Sequence, residues 1–126
     1  MKRVLIVDDS AMARIIIRRC LEIAGGRDWE FVEAGDGEAA LTILREGRVD
    51  MLVTDLNMPT LDGAALLRRV RASPKLANLS VVVVTSDSGT ATSQRLAEYG
   101  ASAVLLKPLS PPRVAEALAH MKGGRA

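Results

Sequence analysis

Four stretches of the chain end an apolar run on a side chain able to do chemistry: VLIVDDS (residues 4–10), MLVTDLNMP (51–59), VVVVTSD (81–87) and AVLLKP (103–108). They deliver Asp8 and Asp9, Asp55, Thr85 and Lys107. Adjacent carboxylates repel, and burial raises the cost of ionising either one. Three acids gathered at one place therefore need a cation. The donors are hard oxygens, and no His or second Cys accompanies them, which suits Mg²⁺ or Mn²⁺ and argues against zinc. Lys107 adds one fixed positive charge and Thr85 a hydroxyl. A divalent metal, an amine and a hydroxyl donor are what a phosphoryl group requires of its surroundings. One of the carboxylates could then be the acceptor, forming an acyl phosphate. Singly, each feature has an ordinary explanation: acids at a helix N-terminus, a threonine at a strand end, a lysine–proline loop. Their joint occurrence at four strand ends points to a site.

These groups meet only if the elements before them lie side by side. Apolar runs at 4–7, 29–34, 51–54, 81–85 and 103–106 are predicted strands. The run at 29–34, WEFVEA, is of mixed polarity and reads as an edge. The first, fourth and fifth are nearly continuous in apolar residues, as expected of strands covered on both faces of a parallel sheet. Between them, 11–24, 36–46, 63–72, 90–99 and 111–121 are predicted helices. The first carries Met12, Ile16, Cys20 and Ile23 at helical spacing, with Arg14, Arg18 and Glu22 on another face. Asp36 and Ser110 are capping residues, and Gly47 and Gly100 are stops. The segment 90–99 is the least amphipathic. The alternation is (βα)5, an α/β doubly wound parallel sheet, in which ligands bind beyond the carboxyl ends of the strands.

At 126 residues, 48% apolar and 25% charged, the chain reads as one globular domain. A single Trp, Tyr and Phe leave the core to Leu, Val, Ile and Ala. Apolar runs are far shorter than the ~20 residues that span a bilayer. MKRVLIVDD has neither a long apolar region nor a cleavage site, so no membrane partner and a cytoplasmic location are expected. Cys20 stands alone and reads as a small buried apolar residue. The net charge is +2, the basic excess comes from arginine, and Arg68, Arg69 and Arg71 form the densest cluster, expected to be a solvated helix face. Without a longer basic stripe and interleaved aromatics, no nucleic-acid partner is expected.

VLIVDDS, TDLNMPTLDG, VVVVTSD and GASAVLLKPLS together resemble the receiver domains of two-component response regulators, in particular the single-domain chemotaxis type. The resemblance covers essentially the whole chain. It implies a flavodoxin-like five-stranded sheet in the order 2-1-3-4-5, a receiver domain over residues 1–122, and a tail or linker start over 123–126. It implies that Asp55 is the phosphoacceptor and that Asp9 binds Mg²⁺ (Mn²⁺ possible) directly. Asp8 would assist directly or through water, and the Asn57 carbonyl would complete the protein ligands. Thr85 would hydrogen-bond the phosphoryl group, and Lys107 would pair with it. The Lys107–Pro108 bond would be cis, and Gly63 would be the turn glycine after strand three. The implied partners are a histidine kinase or histidine phosphotransfer protein and a downstream output protein or domain. The first helix, with Arg14 and Arg18 exposed, is a candidate kinase-docking face. The activity implied is self-phosphorylation and autodephosphorylation, not that of a conventional enzyme. Attack by an ionised carboxylate needs no general base, and none is evident.

The chain departs from the family pattern at two positions. Val104 stands where the family often carries an aromatic that turns inward on activation, so that readout is closed to this chain. Ser86 stands where a small apolar residue is commoner. Asn57 and Asp87 occupy positions that tune dephosphorylation in the family. Tyr99 does not replace the missing aromatic and reads as a helix-end ring packed on a neighbour. His120, near the end of the last helix, reads as a solvated residue and not a phosphodonor. The alternatives are a receiver-like interaction domain independent of phosphorylation, a small flavodoxin-like phosphatase, and a receiver forming part of a longer regulator.

Overall fold

The computed structural model describes residues 2–123. Five strands, β1 (Arg3–Val7), β2 (Glu30–Ala34), β3 (Met51–Asp55), β4 (Ser80–Thr85) and β5 (Ala103–Leu106), alternate with five helices. The helices are α1 (Ala11–Leu21), α2 (Gly37–Glu46), α3 (Gly63–Ala72), α4 (Thr90–Glu98) and α5 (Pro111–Gly123). All strand pairs are parallel, in the order β2-β1-β3-β4-β5. The expected strand order and the edge position of β2 are both found. The expected tail begins on the last residue of α5, and residues 124–126 lie outside the described residues.

Successive residues of a strand face opposite sides of the sheet, so each central strand feeds two cores. Leu5, Val7, Leu52, Val81 and Val83 pack with Ala40, Leu41 and Leu44 of α2, Leu66, Leu67 and Val70 of α3, and Leu96 of α4. Val4, Ile6, Met51, Val53, Val82 and Val84 pack with Ile17, Cys20 and Leu21 of α1 and Val114 of α5. This double cover is why the central strands show no polar alternation. Side-chain caps fix the helix starts: Ser10, Asp36 and Asp62 accept from the N–H groups of Ala13, Ala39 and Ala65. Each such cap contributes about 1 kcal/mol. Cys20 is buried as expected, and burial pushes its thiol pKa up, which keeps it inert.

Helix α1 departs from expectation. It ends at Leu21, and a widened turn over Glu22–Gly26 follows, with Gly25 at φ +133°. The buried face is Ile17, Cys20 and Leu21, whereas Met12, Ile15, Ile16 and Ile23 are exposed. The run ARIIIRRC is apolar over too wide an arc for periodicity to choose a face. The choice falls to the slot between β1, β3 and α5, which Ile17 and Leu21 fill. Of the arginines of α3, Arg68 and Arg69 are exposed as expected, and Arg71 departs from a solvated face. Arg71 is half-buried and bonds backbone carbonyls, and the Arg68 guanidinium lies 4.9 Å from the centroid of the Tyr99 ring.

The corrected face has a measurable consequence. Ile17→Ala is expected to cost about 2–5 kcal/mol of folding free energy by opening a cavity. Ile16→Ala, at a position 47% exposed, is expected to cost under about 1 kcal/mol. Urea unfolding checks both; equal losses would restore the face read from periodicity.

Candidate functional site

Parallel registry brings the strand ends to one level. Val7 pairs with Thr54, so the next residues, Asp8 and Asp55, emerge together. Asp55 pairs with Val84, and Thr85 pairs with Leu106, immediately before Lys107. Two backbone bonds extend the ladder past the strands: Leu56 N–H to Val84 O (2.8 Å) and Lys107 N–H to Thr85 O (2.8 Å).

At this edge Asp8, Asp9 and Asp55 each offer a carboxylate oxygen within 4.8 Å of the others. Asp8 and Asp55 are buried, at 1% and 5% exposure, and Asp9 is exposed. Lys107 Nζ lies 3.0 Å from Asp55 Oδ1 and 3.5 Å from Asp8 Oδ2. The second Asp8 oxygen accepts from the Ser10 N–H at 2.9 Å. The Lys107–Pro108 peptide is cis, as expected.

Burial pushes the Asp55 carboxyl above its ordinary pKa. The hydrogen bond and charge of Lys107 oppose that shift, and the charges of Asp8 and Asp9 add to it. Burial disfavours the Lys107 ammonium too, but its bonds to Asp55 and Asp8 outweigh this and hold its pKa above the ordinary value. One ammonium among three carboxylates leaves a formal deficit of two positive charges. A hard divalent cation matches both that deficit and the all-oxygen donor set.

The other expected residues sit around this group. Thr85 is fully buried, and its Oγ1 accepts from the Asp87 N–H at 3.0 Å. Asn57, two residues beyond Asp55, and Ser86 are exposed. Asp87 is engaged with the start of α4. It accepts from the Thr92 hydroxyl (2.6 Å) and the Gly89 N–H (2.8 Å), and these bonds hold its pKa below the usual range. Val104 is half-buried against the core. His120 is exposed on α5, and Tyr99 packs on the core beside α3.

One support was misread in the sequence, and a second was named without its spatial reason. Arg14 is no free docking residue. Its Nη1 donates to the Asp8 carbonyl at 2.7 Å and its Nε to Glu33 Oε1 at 2.8 Å, so it braces the loop after β1. The only sequence signal was an acid on β2, which by itself names no partner. Gly63 was expected as a turn glycine, but its requirement is space. A Cβ there would collide with the Asp55 carbonyl oxygen and lie 2.8 Å from the Leu56 Cα.

A 2-1-3-4-5 sheet with clustered acids and a lysine at its carboxyl edge is the architecture of a phosphorylation-regulated signalling receiver. The chain belongs to the response regulator receiver domain family, whose model matches residues 4–119. It is 32% identical over 121 residues to a probable chemotaxis protein CheY of Rhizobium etli, covering 96% of this chain and 92% of the relative. It is 39% identical over 108 residues to the chemotaxis protein CheY of Pseudomonas aeruginosa, covering 86% of each. Among solved structures, the chemotaxis response regulator CheY4 of Vibrio cholerae superposes with a TM-score of 0.84 at 29% identity, covering 96% of this chain and 98% of the other. A response regulator receiver protein from Pseudomonas putida gives 0.79 at 30% identity, covering 94% and 96%. No helix among the described residues is long and apolar enough to cross a membrane.

The raised Asp55 pKa fixes the sign of a pH effect. Between its unfolded and folded values the native state holds a proton that the unfolded chain has lost, so stability falls as pH rises through that interval. In chelator, the folding free energy of the wild type is expected to decline relative to Asp55→Asn as pH rises above the ordinary carboxylate pKa. The variant should be the more stable protein at neutral pH. Denaturant titrations at a series of pH values check this; parallel profiles would contradict it.

Proposed function

We propose that Asp55 accepts a phosphoryl group from the phosphohistidine of a kinase or phosphotransfer protein, and that this modification switches a partner-binding surface. The observation that carries the reading is the Lys107 amine 3.0 Å from a buried carboxylate oxygen, beside two further acids. The Asp55 oxygen forms a bond to phosphorus as the donor's P–N bond breaks. The electron pair leaves with the imidazole nitrogen, which takes a proton from solvent. Asp8, Asp9, Asp55 and the Asn57 carbonyl would hold Mg²⁺ (or Mn²⁺), which supplies charge neutralisation for the phosphoryl oxygens. Lys107 offsets part of the cost of ionising Asp55 and then pairs with the phosphoryl group. Thr85 donates its hydroxyl to a phosphoryl oxygen. No side chain among these is placed as a general base for the later attack of water, which suits a slow return to the unmodified state. The unit carrying this function is the receiver over residues 1–122, followed by a tail or linker, and it is not a conventional enzyme.

The donor's docking face is the exposed apolar stripe of α1 and of the turn after it, in place of a face through Arg14, which is engaged with Asp8 and Glu33. Met12, Ile15, Ile16 and Ile23 are 65%, 59%, 47% and 59% exposed. Ile16 lines a groove shared with Ser86, Lys107 and Pro108, so a helix laid on this stripe reaches the amine side of the site. Val104 favours one competing reading, a receiver-like module that binds its output partner equally well in both states.

Asp55→Asn is expected to abolish incorporation of labelled phosphate from acetyl phosphate, as is removal of Mg²⁺ with chelator. Undiminished labelling at another residue would overturn the assignment. Ile15→Glu is expected to slow transfer from the cognate kinase about tenfold or more, as loss of a buried contact should. Its labelling by acetyl phosphate should be unchanged, and equal losses with both donors would move the docking face elsewhere.

A further inference from the structure

The backbone that carries the two N-terminal acids is held from three directions. The Asp8 N–H donates to the Ala34 carbonyl at 3.2 Å. The Asp8 carbonyl accepts from Arg14 Nη1 at 2.7 Å. The Asp8 carboxylate accepts from the Ser10 N–H at 2.9 Å. That carbonyl belongs to the peptide joining Asp8 to Asp9, and a peptide is planar. Clamping its oxygen therefore fixes the Asp9 nitrogen and the direction in which the Asp9 side chain leaves. Asp9 is exposed, so the aim of its carboxylate depends on this backbone and not on packing.

Two elements place Arg14 for the task. Ser10 caps α1 through the Ala13 N–H, one residue before Arg14. Glu33 of β2 accepts from Arg14 Nε at 2.8 Å, so one guanidinium spans from β2 to the acid pair. A planar fork suits donation to both partners at once. Gly35 leaves the guanidinium room, since a Cβ there would stand 3.7 Å from Nη1. The Arg14 side chain is only 20% exposed, which shelters both bonds from water. Glu33 has a second effect. An unpaired guanidinium beside a cation site would repel a divalent ion, and the adjacent carboxylate offsets that repulsion.

We infer that Arg14 is a positioning residue for the divalent cation, acting through the Asp8–Asp9 peptide, and that Glu33 both orients it and cancels its charge. The clamp stands on geometry alone; its consequence for the cation rests on the metal reading of Asp8, Asp9 and Asp55 above. Two simpler roles predict other results. Were Arg14 only a charge, its removal would tighten cation binding, because a positive charge would leave an acidic site. Were it only a fold brace, its removal would lower stability and leave the affinity of the folded protein unchanged.

Isothermal titration of the full chain with Mg²⁺, beside urea unfolding in chelator, separates these roles. Arg14→Met is expected to weaken Mg²⁺ binding about tenfold, as loss of a hydrogen bond behind a metal ligand does. Arg14→Lys keeps the charge but not the fork, and should recover part of the loss. Glu33→Gln retains an acceptor for Nε and should weaken binding by about threefold, a loss that shrinks at high salt. The Arg14→Met loss should persist at high salt. In acetyl phosphate labelling, the half-saturating Mg²⁺ concentration of Arg14→Met should rise by the same factor as its dissociation constant, with most of the rate recovered at saturating Mg²⁺. Unchanged or tighter Mg²⁺ binding by folded Arg14→Met would overturn the inference. If Arg14→Met fails to fold, Arg14→Lys must still bind Mg²⁺ more weakly than the wild type, and equal affinity would overturn it as well. Absence of Mg²⁺ binding by the wild type would instead sink the metal reading, and the role of Arg14 with it.

Discussion

The structure depends on an electrostatic imbalance held at one edge of a sheet. Asp8 and Asp55 are buried almost completely, and the single amine of Lys107 reaches both. Burying a carboxylate is costly unless it is paired, and one ammonium cannot serve three acids. The site is thus in tension before any ligand arrives, with Asp55 pushed toward protonation and Lys107 held charged. A divalent cation and a phosphoryl group act on that tension directly. Placement of the strand ends matters more here than any single side chain.

The rest of the fold serves that placement. Two cores, one on each face of the sheet, hold four adjacent strands in register so that their last residues share a level. The loops leaving this edge are braced locally. Ser10 caps α1 while its N–H holds Asp8, Arg14 grips the Asp8 carbonyl, and Gly63 lets α3 pass against the backbone of Asp55. By contrast, the side-chain bonds that hold the loop after β4 among the described residues run through Asp87, between a buried threonine and an exposed helix start. Bracing at two loops and slack at a third is what a switch requires, because a modification shifts an equilibrium only where two arrangements are close in energy.

The misread elements are instructive. Residues 12, 16, 20 and 23 make a valid helical stripe, yet α1 buries 17, 20 and 21. The helix is apolar over most of its circumference, so one set of apolar residues fills the core and another is left for a partner. Arg71 reads as surface charge in a basic cluster, but it closes three carbonyls left unpaired by surrounding turns. Arginine is suited to that task because its planar fork donates in several directions at once. Nothing local to RRVRA distinguishes Arg71 from Arg69, because the carbonyls it serves lie elsewhere in the chain.

The sequence by itself determined the alternation of strands and helices, the order of chemistry-bearing residues at the strand ends, and the family. Apolar runs, caps and stop glycines are local signals, and DDS, TDLNMP, VVVVTSD and LLKP are contiguous. Tertiary structure alone decided which face of α1 is buried, that Arg14 and Arg71 are braces and not free charges, and that Thr85 is tied to the start of α4. Those outcomes depend on which surfaces meet across the sheet and on which distant carbonyls lack partners. Such facts come into being only when the chain closes on itself.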